Sequence, residues 1–325
     1  MALPHFSELR ERAQRSLNTA QNPKKVILLH TGATMLLSLL LILVDYLLEQ
    51  QIGTTGGLSG IGTRSILETA RSVLQLISGI VIPFWQMGYL YYTLKVAQGN
   101  DVGYAGLLQG FHRFGAVLRL KLLMAGIVFL VMMASSYLSS SIFMLTPWSE
   151  PLLQSLIPMF SGEPDAEAMM EIYESIPLSA VAPMMVIFLI SFVALIIPVL
   201  YRYRMAELWL LDHPNHGAFA AVRNSRRMMR GNCIAVFKID LHFWWFFALE
   251  LLIGLIGYAD LLLPQLGISL PFDQKAAYFA FFGAYLVLQM ALYVWRQNEV
   301  SVTYAQVYEA LKPSEEPEQP QLDAT

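Results

Sequence analysis

Asp212-His213-Pro214-Asn215-His216 gathers two imidazoles and a carboxylate into five residues, the densest set of metal-ligating side chains in the sequence. A zinc site built on it needs at least one further ligand brought in from elsewhere in the chain. The alternative is a turn, in which Pro214 stops one helix and Asn215 caps the next. The sequence favours the turn. Gly53 to Gly62 is glycine-rich, but no Gly-Lys-Ser/Thr follows it and no strand precedes it, so it is a loop and not a phosphate cradle. His30, His112 and His242 stand singly, and no Gly-x-Ser-x-Gly elbow accompanies them. Cys233 is the only cysteine, which excludes an intrachain disulfide and any multi-cysteine metal site. No catalytic, cofactor-binding or metal-binding set emerges, and the expectation is a non-enzymatic protein without a cofactor.

Glu250 is the residue whose setting asks most for an explanation. It stands in Leu249-Glu250-Leu251-Leu252, and a carboxylate inside such an apolar run is costly unless it is paired, protonated or facing water. Gln289 and Tyr285 are its expected partners. Glu250 is then either a buried carboxyl tying two helices together or a cation- or proton-linked site, with the tie the first reading. Asp45 and Asp240 lie near the ends of apolar runs and are read as interfacial. Ala276, Ala280 and Ala284 recur every four residues and suggest a helix-packing face. Arg223, Arg226, Arg227 and Arg230 form a basic cluster beside Met228 and Met229, immediately before an apolar run. That context points to anionic lipid and not to nucleic acid.

The elements that carry these residues follow from the apolar pattern. Hydrophobic residues make up 56% of the chain and charged residues only 14%, against about 25% in soluble domains. The apolar residues gather into runs of roughly 20, the length a helix needs to cross the hydrocarbon core of a bilayer. Continuous runs favour helices over the alternating strands of a barrel. The fold class is therefore all-α integral membrane, with about six transmembrane helices: Val26–Leu48, Val73–Leu94, Leu120–Leu145, Leu178–Leu200, Phe237–Leu263 and Ala276–Arg296. Of the 21 Lys and Arg residues, all but Arg64, Arg71 and Lys275 fall on one side of this arrangement. Cytoplasmic loops carry such an excess, so both termini are expected in the cytoplasm of a cell (plasma) membrane protein. The loop after the third span carries Glu150, Glu163, Asp165, Glu167, Glu171 and Glu174 and no Lys or Arg, as an outer loop would. The first apolar run is too long for a signal peptide and lacks a small-x-small cleavage site, so it is read as a retained anchor.

The spans repeat a pattern. Ile80-Val81-Ile82-Pro83 runs into Gly88-Tyr89-Leu90-Tyr91-Tyr92, and Leu195-Ile196-Ile197-Pro198 into Tyr201-Arg202-Tyr203; the sixth span has Asn298 where the proline would fall. Each odd-numbered span follows a basic amphipathic segment expected to lie in the cytoplasmic membrane interface. Three similar units result, about 6–95, 104–211 and 216–311, within a single polytopic membrane domain over residues 1–312. Residues 313–325, rich in proline and glutamate, read as a disordered tail.

Tyr201-Arg202-Tyr203-Arg204-Met205, Leu211-Asp212-His213-Pro214 and the block from Ala221 to Asn232 resemble a bacterial membrane protein family, the one catalogued as domain of unknown function 975. Phe237 to Trp245, Gly88-Tyr89, Leu107 to Phe114 and Ala305 to Leu311 are similar to its other blocks. The likeness includes Asp212 and Pro214 but neither neighbouring histidine, and the sequence departs from the family at Asn298-Glu299, where Pro-Tyr is usual. The resemblance implies a polytopic bacterial membrane protein and brings no activity with it. The first functional expectation is a scaffold or accessory of an envelope or export process, in contact with anionic lipids and with a membrane protein partner. The alternative is a small-solute or ion transporter or channel with Glu250 in its pathway.

Overall fold

The computed structural model describes residues 3–54, 61–150, 152–154, 178–265, 267–268 and 274–312. Residues 55–60 of the glycine-rich stretch, the acidic outer loop from Glu163 to Glu174 and the tail 313–325 lie outside them. The described residues are helical, with no strand among them.

Helix α1 (Phe6–Thr19) is amphipathic, and its Leu9 and Ala13, one turn apart, are fully buried. Asn22 then takes the left-handed conformation at φ 55°, which asparagine tolerates better than most residues. Pro23 follows as the first residue of α2 (Pro23–Thr54), where its missing N–H costs no hydrogen bond. Helix α3 (Ile61–Ala97) runs on past Pro83. A 3₁₀ turn (Gly103–Leu108) and the short α4 (Gln109–His112) lead into α5 (Phe114–Met144). Next come α6 (Leu178–Tyr203), α7 (Ala206–Asp212) and α8 (Ala218–Met229). The last stretch comprises α9 (Cys233–His242), α10 (Trp244–Gly257), α11 (Ala259–Gln265), α12 (Gln274–Leu292), a π segment (Tyr293–Gln297) and α13 (Asn298–Leu311).

Among the described residues, five helices are long and apolar enough to cross a membrane: Pro23–Leu48, Ser65–Ala97, Phe114–Met144, Val181–Asp212 and Ala276–Leu311. The fifth expected span, Phe237–Leu263, departs from a simple rod. Cys233–His242 and Trp244–Gly257 meet at an angle of 65°, so it is a broken element that makes the total six if the pair is one span. Phe243 sits at the break, with Asp240 O and Phe243 N closing a tight turn.

The chain divides into two compact units, Met1–Leu118 with Met205–Thr325, and Arg119–Arg204. In the second, Phe129, Leu130, Met133 and Tyr137 of α5 and Met185, Leu189 and Ile190 of α6 are all exposed. Lipid tails solvate such side chains as well as a protein interior does, so little drives them inward. Ser135 and Ser139 are buried and donate to carbonyls of their own helix, those of Val131 and Ser135, each at 2.7 Å.

The tight core of the first unit lies at the end that carries the basic segments. There Ala13, Val26, Ile27, Tyr89, Tyr92 and Val302 pack together from α1, α2, α3 and α13. Backbones also touch: a Cβ on Gly88 would sit 1.8 Å from the Leu107 carbonyl oxygen, and one on Gly110 would sit 2.0 Å from that of Phe84. The glycine of Gly88-Tyr89 and the Leu107-to-Phe114 block thus meet face to face.

Candidate functional site

Asp212 ends α7 ahead of Pro214, as expected, but the next helix begins after Gly217 and not after Asn215. The Asp212 carboxylate accepts from Gln98 at 2.9 Å, Tyr308 at 2.9 Å and Lys312 at 2.7 Å. His213 stacks on Trp209 with ring centroids 4.4 Å apart. These residues join helix ends, and no group of three or more His, Cys, Asp or Glu that could hold a metal exists among the described residues. His242 stacks on Phe6 at 4.2 Å, and His112 binds the Leu108 carbonyl one turn back. Arg113 donates to the Leu211 carbonyl at 2.8 Å, satisfying the end of α7.

The arginine cluster lies on the outer side of α8. Ala218, Ala221, Ser225, Met228 and Met229 face inward, while Arg223, Arg226, Arg227 and Arg230 are exposed. Ser225 accepts from the Met205 N–H at 3.1 Å, which fixes α8 against the start of α7. Ala276, Ala280 and Ala284 are exposed, and Ala277 is the fully buried alanine of α12. The expected packing face is therefore not the one α12 uses within this chain.

The inward side of α12 leads to Glu250. Its carboxylate accepts from the Tyr293 hydroxyl at 2.6 Å, joining α10 to the first residue of the π segment. Tyr293 is one turn beyond Gln289 and two beyond Tyr285; it, and neither of the two expected partners, donates to Glu250. Tyr285 instead lies against Gly257, where an added Cβ would come within 3.3 Å of its ring. The small residue lets α10 approach α12 closely. A π turn adds one residue per turn and so resets which side chains face a neighbour; such segments recur at functional sites.

Tyr285, Gln289 and Tyr293 line a cavity of about 570 Å³. Its other walls come from α2, through His30, Thr31, Thr34 and Ser38, from Gln86 of α3, and from Gly254 to Leu261 of α10 and α11. The polar residues of α2 fall at helical spacing on one side of a leucine-rich helix. Each was legible singly in the sequence, and the three-to-four-residue period that joins them was the missed signal. From Tyr278 to Tyr293 the α12 wall extends roughly 22 Å at the helical rise.

Two hydroxyls in this wall are satisfied locally, since Thr34 donates to the His30 carbonyl at 2.8 Å and Ser38 to that of Thr34 at 3.0 Å. Three other polar atoms are not. His30 Nδ1, Thr31 Oγ1 and Gln289 Oε1 are buried without a protein partner, on residues 9%, 3% and 7% exposed. His30 is held in place by stacking against Tyr89 and Trp85, at 4.5 and 5.7 Å, with the Trp85 indole N–H donating to its carbonyl. Each unmade hydrogen bond in an apolar setting costs about 1–3 kcal/mol, and all three atoms belong to residues that line this cavity. The volume is that of a small-molecule pocket.

No curated protein and no solved structure matches the chain. A model of the family described as "Protein of unknown function (DUF975)" matches residues 4–310, nearly the whole of it. The chain belongs to that family.

Proposed function

We propose that this protein handles a small solute within the membrane, as a non-enzymatic transporter or channel, with the cavity between α2, α10, α11 and α12 as its binding site. The observation that carries this reading is the convergence of His30 Nδ1, Thr31 Oγ1 and Gln289 Oε1, all lacking partners, on one cavity of an otherwise apolar bundle. Glu250 belongs to the same region through Tyr293. The charge asymmetry of the loops supports six crossings of a bacterial plasma membrane with both termini in the cytoplasm. The recurring proline–aromatic blocks support three units opened by interfacial helices.

Replacing Thr31 with Val and Gln289 with Leu tests the reading. Removing unpaired polar atoms from a cavity should raise stability in detergent by about 1–2 kcal/mol, while solute binding or liposome flux is lost. A variant that keeps all binding and flux shown by the wild type would rule out the cavity as the site.

A scaffold or accessory role is the second reading, favoured by the exposed arginines of α8 and the exposed apolar faces of α5 and α6. Anionic lipid is the proposed partner of those arginines, each cation contributing about 1 kcal/mol near a charged surface, and a second membrane protein that of the apolar faces; nucleic acid is not. Changing Arg226, Arg227 and Arg230 together to Gln should strip anionic lipid from the purified protein. Unchanged lipid content would assign the cluster to protein docking.

A further inference from the structure

We infer that the solute taken by this cavity is a monovalent organic cation of amphiphilic shape, its ammonium group held by Asp260 and by the aromatic rings of Tyr258 and α12. This rests on the reading of the cavity as a ligand site and adds the chemical class. The cavity lining contains one carboxylate, Asp260, and no Lys or Arg. Asp260 is 4% exposed, and no hydrogen bond or ion pair joins it to another residue among the described residues. A carboxylate held in an apolar lining without a partner carries a desolvation cost. A cation in the cavity offsets that cost, a neutral molecule leaves it standing, and an anion adds to it.

The rings that share the cavity wall with the carboxylate favour the same class. Tyr278 and Phe282 stack with centroids 5.9 Å apart and 8° between planes, and Phe282 meets Tyr285 at 5.9 Å. Both tyrosines, Phe282 and Tyr258 contribute to the wall. Aromatic faces together with a carboxylate are the recognition chemistry of alkylammonium groups. A bare divalent metal is a poor match, because it needs several oxygen or nitrogen ligands and the wall holds one carboxylate. Toward the Tyr293 end of the same wall stand Gln289, His30 and Thr31. Met35, Ile42 and Leu286 line the cavity beside the rings, and apolar surface next to a carboxylate suits an amphiphile better than a compact ion.

The test uses the full-length protein in lipid nanodiscs and three probes of matched shape: benzyltrimethylammonium, its neutral isostere neopentylbenzene, and the anion benzylsulfonate. Equilibrium binding should favour the cation over both others by at least about tenfold, the scale of one or two cation–π contacts and an ion pair. Asp260→Asn keeps the shape and should cut that preference severalfold, leaving the share the rings supply; Asp260→Glu should retain most of it. Equal binding of the cation and its neutral isostere to the wild-type protein overturns the cation assignment while leaving the cavity as a ligand site. Wild-type protein that binds none of the three overturns both. Because the probe comparison is made on the unmodified chain, it decides the matter even where Asp260→Asn does not fold.

Discussion

The hydrogen bond from Tyr293 to Glu250 can be isolated by a double-mutant cycle. It spans α10 and the π segment at 2.6 Å, between partly buried side chains. Interhelical hydrogen bonds in membranes average about 0.6 kcal/mol and reach about 1.7. A short bond to a carboxylate belongs near the top of that range. Tyr293→Phe removes the donor and leaves the carboxylate unpaired, and should cost about 1–2 kcal/mol. Glu250→Leu removes the acceptor and should cost about the same. Each change destroys the same contact, so the double variant should cost little more than either alone, giving a coupling of about 1 kcal/mol. Glu250→Gln keeps an acceptor oxygen and should unfold close to the wild type. The assay is reversible unfolding in mixed micelles, following tryptophan fluorescence. Additive losses in the double variant would refute the direct bond as the source of stability. Flux measured on the same proteins separates the roles of Glu250. A strut leaves Glu250→Gln active, whereas a group in the solute path leaves it stable and inactive.

Two further outcomes follow from the geometry. Gly88→Ala places a methyl group 1.8 Å from the Leu107 carbonyl and forces α3 away from the 3₁₀ turn; it should lose more than the roughly 1–3 kcal/mol typical of overpacking, while Gly115→Ala, with open space around it, should be near neutral in the same unfolding assay. Reporter fusions after residue 20, near Asp101, near Asn215 and after Lys312 should all read cytoplasmic and one near Glu163 external; an external signal at Asn215 would overturn the six-span topology.

The long helices were legible in the sequence because their cause is local: a run of about 20 apolar residues has one stable form in lipid. What escaped depends on tertiary packing. The break at Phe243 lies inside Phe243-Trp244-Trp245-Phe246, which contains no proline or glycine to mark it. The π segment after Leu292 is equally unmarked. Glu250 stood out because a carboxylate among leucines is costly wherever the helix points, but neither Gln289 nor Tyr285, the partners expected for it, is its donor. Its actual donor, Tyr293, depends on the added residue of the π turn. Asp260 carried no such signal, since an acid near the end of an apolar run is usually interfacial. Only folding brings it to the same cavity as His30, over two hundred residues away in sequence.

Asn298-Glu299, where the sequence departs from its family, shows how the well-packed end and the cavity are linked. The Asn298 side chain accepts from the Tyr89 hydroxyl at 2.8 Å and donates to the Pro23 carbonyl at 2.8 Å. It therefore joins α13 to α3 and to the start of α2. Proline at this position offers neither bond. Glu299 accepts from both Arg10 and Arg296, drawing α1 onto α13. Gln306 adds a bond to the Ala97 carbonyl at 3.0 Å at the end of α3. Four helices are thus fixed to one another directly below the π segment, and Tyr89, a member of this junction, also stacks on His30 in the cavity wall. Through Tyr89 and the start of α2, the polar contacts of this junction reach the helices that carry the cavity wall.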